Sequence, residues 1–105
     1  MLDEKMIEEL KAKYADKELE LIEAAGEKLV AGTPSKAEWN KFQSWIQDEK
    51  KKSLAYHDFV IGSIVYPPTQ ELEALLDRKP GLAITVASQL SEMAGLDSRV
   101  TRKKL

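Results

Sequence analysis

The proline pair Pro67–Pro68 closes the most apolar stretch of this chain, and it constrains the fold more than any other feature. Proline lacks an amide proton and drives the residue before it out of the helical region, so a helix cannot run through the pair. Upstream, Leu54, Tyr56, Phe59, Val60, Ile61, Ile64 and Val65 cover most of the circumference of a helix. A helix apolar nearly all round belongs at the centre of a fold. The sequence therefore predicts a central helix capped by Ser53 and running to the proline pair, with the other elements packed around it.

The flanking segments read as helices with clear ends. Thr33-Pro34-Ser35-Lys36-Ala37-Glu38 combines capping residues, an early proline and a Ser35/Glu38 capping box. Trp39, Phe42, Trp45 and Ile46 then form an inward stripe, and Asp48–Lys52 is a polar hinge or the exposed end of this helix. Thr69 is placed as the cap of a short helix with Leu72, Leu75 and Leu76 on one face. After Pro80 a last helix carries Leu82, Val86, Leu90 and Met93 at helical spacing. Gly95 is a left-handed terminator with Leu96 folding back over it. Near the start, Asp3 caps a helix over residues 3–14 that carries Met6, Ile7, Leu10 and Tyr14.

Residues 18–32 are compatible with two structures. Alternation over Glu18–Leu21, a break at Gly26 and the apolar return Leu29-Val30-Ala31 suggest a β-hairpin. The abundance of Glu, Leu, Ala and Lys suggests a helix, which Gly26 would weaken by about 1 kcal/mol. The hairpin is preferred, and because an isolated hairpin is marginal in water it must pack on the helices or pair with another chain. The expected fold is mainly α with a small β-hairpin near the N-terminus, an α+β bundle of about five helices. Residues 1–96 form one globular domain, and residues 97–105 a flexible basic tail carrying Arg99, Arg102, Lys103 and Lys104.

The composition narrows the chemistry. The chain has no cysteine, which removes disulfides, thiolate metal sites and cysteine nucleophiles. The net charge of −2 conceals a gradient, with nine acids and five bases over residues 1–32 and a slight basic excess in each later third. That field is too weak to predict duplex DNA binding, so nucleic acid is not expected as a partner. No run approaches the ~18 apolar residues of a membrane span, and acids interrupt the start where an export signal would be apolar. The expected location is cytoplasmic.

Candidate reactive groups are few. His57 is the one histidine, and its neighbour Asp58 points about 100° away on a helix, so the two are not a dyad by spacing. No calcium loop and no glycine-rich phosphate loop is present, and neither a catalytic residue, a metal nor a cofactor is assigned. Gly62, within the apolar helix, reads as a point of close helix contact. Trp39, Phe42 and Trp45, near Lys36 and Lys41, have the composition of a base-stacking platform, but the amphipathic stripe they form reads better as core or a partner groove. Trp39, Trp45, Tyr56 and Tyr66 are the candidate partner contacts.

Taken together, Thr33–Trp39 leading to Phe42, the helix ending Ile64-Val65-Tyr66-Pro67, Glu71–Leu76 leading to Lys79-Pro80-Gly81-Leu82, and the ending Met93-Ala94-Gly95 resemble the small tail assembly chaperones of long-tailed bacteriophages. The resemblance covers roughly Glu18 to Gly95; Pro67–Pro68 and the two tryptophans depart from it. It implies a phage or prophage protein in the host cytoplasm that coats the tape measure protein, keeps it soluble and helps recruit tail tube subunits. Self-association is compatible with that role. It also implies a longer second product made by ribosomal slippage, for which the Lys103-Lys104 codons are suited. The competing expectation is a small regulatory protein that binds nucleic acid or another protein.

Overall fold

The central helix is shorter than its apolar pattern, and the difference creates a strand. In the computed structural model, which describes residues 2–96 and 101–105, helix α3 (Lys52–Ser63) ends at Ser63. Ile64 turns extended at φ −81° and ψ 126°. Ile64–Tyr66 is strand β3, paired antiparallel with β2 (Glu27–Gly32). The expectation of helix through Val65 is thus corrected. Two β-branched residues and an aromatic favour strand over helix. The following proline restricts Tyr66 to extended backbone, and the open side of β2 supplies the missing hydrogen-bond partners.

The hairpin reading of residues 18–32 holds. Strand β1 (Leu19–Ala24) pairs antiparallel with β2 from Leu19↔Gly32 to Ala24↔Glu27. Its two-residue loop places Ala25 at φ +53° and Gly26 at φ +78°. Two successive positive φ values give the type I′ turn, whose twist matches that of paired strands. The sheet order is β1-β2-β3.

The other elements are α1 (Glu4–Lys13), α2 (Lys36–Ile46), α4 (Thr69–Arg78) and α5 (Leu82–Met93). The fold is α+β, with five helices and a three-stranded antiparallel sheet among the described residues. Asp3 caps α1 by accepting the Met6 amide at 2.9 Å. The α2 capping box is complete: Ser35 Oγ accepts the Glu38 amide at 3.1 Å, and Glu38 Oε1 accepts the Ser35 amide at 2.9 Å.

Two expected caps are not used. Ser53 lies inside the first turn of α3, because the Asp48 carbonyl already accepts the Lys51 and Lys52 amides at 3.0 and 2.7 Å. Thr69 is the first residue of α4, because the extended Pro68 occupies the cap position. At the end of α5 the Gly95 amide reaches the Glu92 carbonyl and the Leu96 amide reaches that of Ser91, with Gly95 at φ +105°. This is the Schellman closure expected of a glycine followed by a hydrophobic residue.

The core lies between the sheet and the helices. Leu29, Val60, Leu72, Val86 and Leu90 are essentially sealed, and Ile22, Ala31, Phe42, Phe59 and Ile64 join them. Fully burying each large apolar side chain contributes roughly 1.5–3 kcal/mol. Helix α1 stands apart, since it contains no fully buried residue. Its Ile7 and Leu10 face Leu19, Leu21 and Val30 across a cleft on the outer side of the sheet.

At the hairpin tip, Lys79 Nζ donates to the Ala25 carbonyl at 2.6 Å and to Glu27 Oε2 at 2.8 Å. That hydrogen bond, reinforced by the lysine charge, holds the Glu27 carboxyl below its ordinary range. In the expected tail, residues 97–100 lie outside the described residues, and Thr101–Leu105 are exposed without regular structure. No helix among the described residues is long and apolar enough to cross a membrane.

Candidate partner-binding groove

Helices α2 and α3 meet through an aromatic cluster. The Phe42 and Phe59 rings stack at 4.2 Å with their planes 9° apart. Tyr56 meets Phe42 edge-on at 5.6 Å, and Trp39 lies 6.0 Å from Phe42 and 6.1 Å from Phe59. Offset and edge-to-face pairs of this kind contribute about 0.5–1.5 kcal/mol each beyond area burial. The periodicity of α2 places Trp39, Phe42 and Ile46 on one stripe, and that of α3 places Tyr56 and Phe59 one turn apart, so the cluster follows from spacing.

Helix α5 packs on α3 and leaves a channel beside this cluster. The channel is a groove of about 440 Å³. Trp39, Phe42, Ile46 and Tyr56 form one wall, and Ile84, Ala87 and Leu96 stand on the other. Ile84 and Leu96 are large apolar side chains left 58% and 60% exposed at its edge. Gln43, Ser88 and Glu92 supply polar groups around it. The volume falls within the roughly 300–1,000 Å³ of small binding pockets, and an apolar lining with a few polar groups is their usual composition.

The four residues singled out from sequence divide between three places. Trp39 and Tyr56 line the groove. Trp45 lies elsewhere on α2, where Lys41 Nζ and Lys51 Nζ approach its ring at 4.6 and 5.3 Å. The Lys51 contact ties the end of α2 to the start of α3, whereas the Lys41 contact lies within α2. Tyr66 lies in a separate cleft with Glu27, Lys28, Glu71 and Arg78. All four are half-buried.

Ile84 and Leu96 were not among them. Both are visible in the sequence as apolar residues off the Leu82/Val86/Leu90 stripe, but their exposure depends on how α5 meets α2. Leu54, expected in the core, is 56% exposed. Gly62 is exposed, and a Cβ there would come within 3.2 Å only of Glu38 Oε2, the end of a flexible side chain on α2, so the glycine is not required by close packing of the two helices.

The polar residues near the helices serve as ties. His57 and Asp58 diverge: His57 Nε2 lies 3.5 Å from Glu73 Oε1 on α4, whereas Asp58 Oδ1 pairs with Lys41 Nζ at 3.2 Å. Both pairs are partly exposed and contribute little individually. Among the described residues no three His, Asp or Glu side chains converge to hold a metal ion.

Fold and groove together define a small α+β domain in which helices build an apolar channel on one side of a three-stranded antiparallel sheet. The chain belongs to the family described as a domain of unknown function, DUF6848, which matches residues 10–103. A solved structure of similar shape is the uncharacterised protein rbstp2171 from Bacillus stearothermophilus. It is 25% identical, with a TM-score of 0.76 over 92% of this chain and 99% of that one. No curated protein matches the chain.

Proposed function

We propose that this protein is a helix-binding assembly factor, a phage or prophage tail assembly chaperone that holds apolar helical segments of the tape measure protein and helps recruit tail tube subunits. The observation that carries the reading is the groove of about 440 Å³ between α2, α3 and α5, with Trp39 and Tyr56 in its wall and Ile84 and Leu96 at its edge. An amphipathic helix docks in such a groove through apolar anchors spaced three and four residues apart. Many weak sites along one long helical chain give strong overall retention, because each later contact forms at high effective concentration. The motif resemblance over Glu18–Gly95 supplies the phage assignment, and the groove supplies the mode of binding.

The test is co-expression with the tape measure protein encoded beside this gene. The expected result is a soluble complex that survives purification. Ile84→Glu and Trp39→Ala should each release the partner while the chain keeps its far-UV circular dichroism. Equal retention by the wild-type and substituted chains would overturn the groove as the binding site. Neighbouring genes that encode no long helical protein would overturn the phage assignment.

A further inference from the structure

The sheet has an open side at β1. Strand β1 pairs with β2 on one flank, and among the described residues no strand lies on the other. Such an edge offers unpaired main-chain donors and acceptors to any extended segment that fits. Beside it lies the apolar cleft of about 180 Å³ formed by Ile7 and Leu10 of α1 with Leu19, Leu21 and Val30 of the sheet. Leu21, at its margin, is 52% exposed.

Charge selects what can occupy this edge. Glu18, Glu20 and Glu23 are all exposed along β1. Pairing β1 with β1 of another copy must keep like faces together, as about a two-fold at Leu21, which sets Glu20 opposite Ile22 and Glu23 opposite Leu19 and gives neither carboxylate a cation. A basic extended segment is favoured instead. The chain has two basic runs. Lys50–Lys52 is committed to the turn and first residue of α3. Arg102-Lys103-Lys104 is exposed, without regular structure, and followed by the fully exposed Leu105.

We propose that Thr101–Leu105 of a second copy adds to the free edge of β1 as an antiparallel strand. With Leu105 opposite Leu21, side-chain alternation directs Leu105 toward the apolar cleft and sets Lys103 opposite Glu23 on the same face. Lys104 then falls on the inner face, diagonal to Glu20. The occupant is taken from another copy because within one chain Thr101–Leu105 are exposed and, among the described residues, pair with no strand. The inference does not depend on the groove or on the phage assignment.

The test measures mass by sedimentation equilibrium across concentration, near 50 mM and near 500 mM salt, with amide exchange of β1 followed in parallel. The expected result is association that weakens in high salt as screening shortens, with protection of the β1 amides rising with concentration. Glu20→Lys with Glu23→Lys should weaken association about tenfold, two exposed ion pairs being lost and reversed. Arg102→Glu, Lys103→Glu and Lys104→Glu together should do the same, and all five changes in one chain should restore it. A chain ending at residue 100, which keeps the folded domain, should be monomeric. A monomer at millimolar concentration would overturn the proposal, as would association indifferent to both charge reversals. Protection of β1 at constant monomer mass would assign the edge to the chain's own tail and overturn it equally.

Discussion

The hairpin turn offers a test in which the backbone alone is at stake. Ala25 is held at φ +53° and Gly26 at φ +78°. A left-handed conformation costs an L-residue roughly 1–2 kcal/mol, and asparagine tolerates it far better than alanine does. Ala25 is exposed, and its interaction with Lys79 is made by the main-chain carbonyl, which survives substitution. Ala25→Asn should therefore stabilise the protein by about 0.5–1 kcal/mol. Glycine removes the strain entirely but adds roughly 0.5–1 kcal/mol of unfolded-state entropy, so Ala25→Gly should gain no more than Ala25→Asn. Gly26→Ala should lose about 1 kcal/mol, and because a Cβ there meets nothing within 4 Å, the loss cannot be assigned to a clash. Urea titration at constant m-value reads these differences, and thermal melts should show about 4–8 °C per kcal/mol for a domain of this size. If Ala25→Asn is neutral or destabilising while Gly26→Ala is tolerated, the type I′ turn is wrong and so is the hairpin register built on it.

Other predictions probe the packing and the ties. Leu90→Ala removes a fully buried side chain between α5 and the rest of the core and should cost about 2–5 kcal/mol in urea titration. Ser63→Ala should be neutral or stabilising by the same measure, since Ser63 Oγ is buried without a hydrogen-bond partner. Lys79→Met should lower the melting temperature and flatten its acid dependence. The Glu27 carboxyl is held below its ordinary range, so its contribution is complete above the unfolded-state pKa and is lost as pH falls through the lowered folded-state value. Melts between neutral pH and pH 3 should show that loss in the wild type and much less of it in Lys79→Met.

What the sequence declares is local chemistry. The Ser35/Glu38 capping box, the Gly95 terminator and the break at Pro80 all act within a few residues and appear in the structure where the residues require them, whereas Pro67 closes strand β3 and not the helix before it. Strand β3 was illegible because helical periodicity continues through Ile64 and Val65, and only the open side of β2, more than thirty residues away, makes extension preferable. The groove was half legible. Trp39 and Tyr56 stand out as aromatics on amphipathic faces, but α5 supplies the opposite wall, and no spacing within α2 or α3 records where α5 will lie. Trp45 carried the same sequence signal as Trp39 and ended beside two lysines on another face.

Helix α3 passes into β3 without a connecting residue, Ser63 ending one and Ile64 beginning the other. A joint with no slack transmits torsion. A roll of α3 would therefore be felt first at β3, whose pairing with β2 resists it.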